Sequence, residues 1–409
     1  MITSLAWIPC GVTPKVLEHA QNDESELNIY LELIGGEKKS EPEPAHPISE
    51  EDAAIIAKYD LDNYDNEGVV DEPNPEIVEN DEYLTNQPQP EEDEDDTIKN
   101  SDYLLIVGKS VDPDASLEVH VFDYLEKSFY PHHEIMLPSF PLSICWIDGE
   151  PQTGNPGSYA AVSSMQNHIE IWNLNVLESI IPSAWLIHHT DSIPALSWNP
   201  LQRFALLSAS IDGTAAIWNL KTLKTAAVFN IGNPRGPGEK YAQAKTAEWN
   251  PKEKSIFAVG SDEGLYCYDA RAGMVWSTDV GQPMDTFAWL NDGVHFLTSL
   301  ETGEVLYYDS RNTSERLFSF QAHSEHVTGI AACKVQSPQI IATIGEDEYC
   351  RIWSLESGVP EKLLEDNMGM GPLFTCQFCP DRPMLLAVGG NTAETRIWDI
   401  ELDLNENKE

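Results

Sequence analysis

Basic residues are scarce. The 409-residue chain has 24 Lys and Arg against 68 Asp and Glu, a net charge of −44 at pH 7. A field of that sign repels phosphates, so binding nucleic acid through overall charge is excluded and basic protein partners are favoured. No Lys/Arg cluster of the kind read as an import signal is present. No apolar run approaches the roughly 18 residues that span a bilayer. The opening "MITSLAWIPCG" lacks the basic start and long apolar stretch of a signal peptide. An intracellular, soluble protein is expected. Cysteine is sparse as well: seven residues, an odd number scattered along the chain, fit free thiols in a reducing compartment. The lone C-x-x-C of Cys376 and Cys379 has no second pair nearby, so no zinc site is expected. There is no Gly-rich phosphate loop and no nucleophile elbow. His132-His133 and His188-His189 lack acidic or thiol partners at metal-like spacing. No catalytic residue, metal or cofactor is expected, and an enzyme is not.

Tryptophan, by contrast, is plentiful, with 11 copies. Aligning strand-like runs such as "HIEIWNL", "TAAIWNL", "YCRIWSL" and "ETRIWDI" places an aromatic at 122, 172, 218, 268, 308, 353 and 398, with steps of 50, 46, 50, 40, 45 and 45. A second aromatic precedes most of them: Trp7, Trp146, Trp198, Trp249, Trp289 and Phe378. In the sixth unit "TGIAACK" lacks it. Apolar alternating runs lie between and after the two anchors, so each unit reads as four short strands. Such a unit buries both faces only by stacking on neighbours, and seven of them close into an all-β propeller.

The third unit is the most complete. His189 stands in the loop before its inner strand, Asp212 in the "IDG" turn, and Trp218 on its third strand. The sixth unit repeats this with His323, Thr343, Asp347 and Trp353, which makes Ser208, ten residues before Trp218, the matching hydroxyl. A buried indole N–H, imidazole and carboxylate each cost energy unless paired, so linking them satisfies all. This pattern resembles the WD-repeat family. Recurrence in two units argues for a structural network and against a catalytic His189–Asp212 dyad. Cys379 falls where the third unit has Asn199, so the two cysteines read as residues of the last blade.

Three segments escape the period. The first, residues 14–100, is expected to be a long acidic, mostly disordered insertion in the first blade; Glu18 to Asp96 alone holds 27 acids and 3 bases. Within it, residues 49–67 have a capping residue, helical spacing and the aromatic and apolar anchors Tyr59, Leu61 and Tyr64, a motif suited to a basic partner. The second, "NIGNPRGPGEKYAQAK", lies in a stretch, Lys221 to Lys254, with 7 basic and 3 acidic residues; Arg235, Lys240 and Lys245 are its candidate contacts. The third is the C-terminus, where "NENKE" makes a poor outer strand and leaves the last blade with an open edge. "LNIYLELI", residues 27–34, is a candidate to pair there.

The longer strings "YDLDNYDNE", "LEVHVFDYLEKSFYPHHEIMLPSFPLSICW", "IEIWNLNVLES", "HTDSIPALSWN" and "DNMGMGPLFTCQFCPDRPMLLAVGG" resemble the periodic tryptophan protein 1 family. The resemblance implies a seven-bladed WD-repeat β-propeller: residues 1–13 its first strand, 14–100 the insertion, 101–409 the rest. It also implies a non-enzymatic scaffold for large-subunit precursor maturation and rRNA processing in the nucleus and nucleolus. The expected partners are pre-ribosomal assembly factors or basic ribosomal proteins, with pre-rRNA a further candidate, and neither a small-molecule substrate nor a membrane. Two alternatives stand beside it. One is a chromatin- or histone-binding WD-repeat protein. The other is a substrate adaptor of an enzyme complex such as a ubiquitin ligase, for which no F-box-like helix is visible.

Overall fold

The computed structural model describes residues 1–20, 98–232, 241–335, 339–356 and 358–406. The chain divides into one unit of Met1–Asn22 with Ile98–Glu409 and another of Asp23–Thr97; the described residues belong to the first. The motif at 49–67 with Tyr59, Leu61 and Tyr64, the run 27–34, and Arg235 and Lys240 lie outside the described residues.

Among the described residues the apolar runs form antiparallel meanders, six of four strands and one of three. Each is a blade, ordered in sequence from inner to outer strand. The third strands are Asp114–Asp123, His168–Asn173, Thr214–Asn219, Leu265–Asp269, Glu304–Asp309, Tyr349–Ser354 and Thr395–Asp399, and each carries its aromatic anchor. Because successive side chains point to opposite faces, the near-continuous apolar runs make both faces of a blade apolar, and the core is divided into seven clusters, each shared by two adjacent blades. Seven shared cores around one ring define a seven-bladed β-propeller.

Ring closure falls between blades seven and one. Ile2–Ile8 is the inner strand of blade one and pairs with Tyr103–Val111 across the insertion. The two ends of that insertion meet where the Ile98 N–H donates to the Lys15 carbonyl at 3.1 Å. A long excursion between fixed ends adds little closure entropy, because the cost grows only logarithmically with length. Glu18–His19 adds a short parallel pairing to Val176–Leu177. Across the closure, Trp7 donates from its backbone N–H to Gln377 Oε1 and from its indole to the Gln377 carbonyl, both at 2.9 Å. Arg382 lies 3.6 Å from the Tyr124 ring centroid, and the Tyr124 hydroxyl donates to Asp399 at 2.9 Å.

Blade seven has three strands among the described residues, and its third strand runs directly into the helix Ile400–Glu406. Ile400 is fully buried and Leu404 packs against the core shared with blade six. Apolar residues four apart, with no Gly or Pro between them, suit one face of a helix.

Candidate functional site

In blade three the Trp218 indole donates to Ser208 Oγ at 2.8 Å, and His189 Nε2 lies 2.8 Å from the same oxygen. His189 Nδ1 lies 3.2 Å from Asp212 Oδ2. The Asp212 carboxylate can only accept, so Nδ1 carries the proton facing it, and with one proton on the ring the Ser208 hydroxyl donates to Nε2 while accepting the indole N–H. Asp212 also accepts the Thr190 and Thr214 backbone N–H groups, both at 2.9 Å, tying the turn to the loop. Burial by itself raises the Asp212 carboxyl, but these donors outweigh it and hold it well below the usual range. Gly213, at φ 86°, makes the turn, and a Cβ there would strike Tyr241.

Blade six repeats the arrangement. Trp353 donates to Thr343 Oγ1 at 2.9 Å, His323 Nε2 is 2.9 Å from that oxygen, and Asp347 is 2.8 Å from His323 Nδ1. Burial opposes ionisation of Asp347, yet bonds from His323 and Arg351 bring it down to about 2. Burial lowers His323 below the ordinary imidazole value. All four ring-linking side chains are inaccessible or nearly so, which leaves them no substrate to meet.

Two blades solve the same problem with residues the sequence reading did not single out. In blade two the Trp172 indole donates to Glu170 Oε2 at 3.1 Å, with His168 3.4 Å from the other oxygen. His168, Glu170 and Trp172 alternate along one strand, so they share a face; that H-x-E-x-W spacing was the available signal. In blade seven the Trp398 indole donates to Asp403 of the terminal helix at 2.6 Å. Blade one inverts the blade-two order: Glu118 and His120 are 2.7 Å apart, and Lys109 donates to Glu118 at 2.8 Å. Blade four keeps Asp262 without the histidine, and it accepts the Gln243 N–H at 3.2 Å.

Of the basic candidates, only Lys245 is among the described residues. It sits on the inner strand Ala244–Trp249, with its ammonium 2.8 Å from Asp285 and 3.4 Å from Glu301. Its charge is therefore paired within the chain. Cys376 is on the inner strand of blade seven, whereas Cys379 follows it in the turn, its N–H donating to Leu385 as Asn199 donates to Ala205. All seven cysteines are free, and among the described residues no group of three or more metal-ligating side chains comes together. Among the same residues, no helix is long and apolar enough to cross a membrane.

The inner strands line a central channel. At its mouth on the face of the first-to-second-strand loops is a cavity of about 460 Å³, bordered by strands from blades one, two, three, four and seven. The residue before the inner anchor serves the next blade here: Gln377 accepts the Trp7 N–H at 2.9 Å, Cys145 that of Trp198 at 3.0 Å, Ser197 that of Trp249 at 3.2 Å, and Glu248 that of Trp289 at 2.9 Å.

The ring of seven blades makes this chain a β-propeller, and its two His–Asp–hydroxyl–Trp networks are similar to those of WD-repeat proteins. The family model for the WD domain, G-beta repeat, matches residues 182–219, which run from the outer strand of blade two, Ala184–Ile187, through the third strand of blade three. Over most of its length the chain resembles the periodic tryptophan protein 1 family. It is 27% identical over 355 residues to the periodic tryptophan protein 1 homolog of Drosophila melanogaster, covering 81% of this chain and 75% of that one. Periodic tryptophan protein 1 of Saccharomyces cerevisiae aligns over 98% of this chain and 88% of its own at 21% identity. A WD repeat-containing protein of Schizosaccharomyces pombe is 27% identical, over 78% of this chain and 66% of its own.

Proposed function

We propose that the chain is a non-enzymatic scaffold in ribosome biogenesis that docks assembly factors or basic ribosomal proteins, with pre-rRNA as a further ligand, in the nucleus and nucleolus. The observation that carries this is the similarity to periodic tryptophan protein 1, which extends over 98% of the chain in the yeast alignment and so includes the acidic insertion. The fold supports a docking role: the buried pairs His189–Asp212 and His323–Asp347 are spent on tying turns to loops, leaving rigid faces for partners. The charge of −44 favours basic ones. Tyr59, Leu61 and Tyr64 are the proposed anchors of the insertion.

Affinity purification of the full chain with sequencing of bound RNA tests the reading. Recovery of large-subunit precursor RNA is expected. Nucleosomes without ribosomal precursors would overturn it in favour of a chromatin role. Deleting residues 49–67 is expected to weaken partner recovery and leave the melting temperature unchanged.

A further inference from the structure

Glu248 brings a carboxyl group that its structural task does not require. Its task is to accept the Trp289 N–H, and at equivalent positions neutral Gln377, Cys145 and Ser197 do the same for the next blade. The other residues at this level of the ring, Ala6, Ala288 and Ala331, are alanines. Glu248 is thus the single carboxylic acid at that level. It lines the cavity at the channel mouth, where desolvation raises its carboxyl to about 7.

No cation of the surrounding strands answers it. On its own strand the only cation is Lys245, which is paired with Asp285 and Glu301. The adjoining strands Ala195–Trp198, Ile256–Ser261 and Met284–Trp289 bring no charged residue but Asp285. Asp148, on the inner strand of blade two, is held by Arg203 at 2.7 Å. Lys334 borders the same cavity but is exposed at its rim. The same cavity is lined by Trp146, Trp198 and Trp249 with Pro200 and Pro251. Aromatic and proline surfaces suit a methylene stem, and indole faces attract a cation.

We propose that Glu248 anchors a site in the channel mouth for one lysine or arginine side chain of a partner protein. The apolar walls take the stem and the carboxylate takes the charged head. The site stands on the geometry of the propeller alone and does not depend on the ribosome-assembly reading.

The test uses the full chain with butylammonium chloride as probe and 1-butanol as its neutral counterpart, followed by saturation-transfer NMR. Saturable butylammonium binding is expected at pH 8. It should weaken at least tenfold in Glu248→Gln, and again in the wild type at pH 5.5, where the carboxyl is protonated. 1-Butanol should bind at least tenfold more weakly than the cation. Gln keeps the acceptor for Trp289, and Glu248→Ser, copying Ser197, serves as a second variant if Gln impairs folding. Three results would overturn the site: no saturable binding to wild type, binding to the variants within twofold of wild type, or equal binding of the neutral alcohol.

Discussion

Blades three and six differ from blades two and seven in how one buried indole is satisfied. In the first pair the acceptor is a hydroxyl on the second strand, Ser208 or Thr343. Ser208 pairs across the sheet with Ala216, a residue too small to interfere. In blade two the same pair of positions is Val162 and Glu170, so the acceptor has moved one strand over. In blade seven the pair is Val388 and Arg396, neither of which accepts, and Asp403 of the helix supplies the oxygen instead. What the position demands is an acceptor within reach of a buried N–H, and the fold tolerates three sources of it.

The largest effect is expected from removing the third source. Ending the chain after Asp399 deletes Asp403, the buried Ile400 and Leu404 together. Losing the buried Ile400 and the partly buried Leu404 and orphaning an indole should destabilise by about 3–5 kcal/mol. Thermal unfolding followed by circular dichroism measures this; an unchanged midpoint would mean that the helix is not part of the blade-seven core. Next comes Thr343→Val, which preserves shape but strips partners from both Trp353 and His323. Two buried polar groups left unpaired should cost about 2–4 kcal/mol. A loss below about 1 kcal/mol would mean that water or a shifted side chain takes over the hydroxyl's role.

The contrast explains what was legible in the sequence. The anchors at 122, 172, 218, 268, 308, 353 and 398 were readable because each must be a large buried ring at one point of a period, and all seven lie on third strands. The tetrads of blades three and six were readable because all four members hold their expected offsets. Glu170 was overlooked because its role depends on a cross-strand neighbour, Val162, that offers no hydroxyl. Asp403 was out of reach for a different reason. The poor strand-forming end of the chain was readable, but the helix depends on Ile400 and Leu404 finding the groove beside blade six, a tertiary contact. The pairing of Lys245 with Asp285 and Glu301 brings together inner strands of neighbouring blades and a turn, which a linear charge count does not register.

Behind the hydroxyl acceptor of blade six stands the carboxylate of Asp347, paired with His323, and acid acts on it. Asp347 has a folded-state value of about 2, below the ordinary carboxylate. A depressed carboxyl contributes stability in full above its unfolded value, near pH 4, and loses it as pH falls through about 2. Asp347→Asn should therefore destabilise by about 1–2 kcal/mol at pH 7. The gap to wild type should stay constant down to about pH 5 and narrow below about pH 4. Melting temperatures of both proteins across that range measure it. A gap that holds steady below pH 4 would show that the amide lost packing or geometry and that ionisation was not the source.

The smallest net change should come from exchanging one solution for another within blade two. Glu170→Ala alone leaves the Trp172 indole without an acceptor and should cost about 1–3 kcal/mol. Val162 pairs with Glu170 as Ser208 pairs with Ala216, so Val162→Ser places a hydroxyl ten residues before Trp172, where blade three has its own. The double variant rebuilds the blade-three pair in blade two and should return to within about 1 kcal/mol of wild type, the residue reflecting the lost valine methyls and the freed His168. A coupling near zero between the two substitutions, measured as a double-mutant cycle from chemical denaturation, would mean that the hydroxyl does not reach the indole. The acceptor in each blade would then be tied to its own backbone geometry, and the three sources would not be interchangeable.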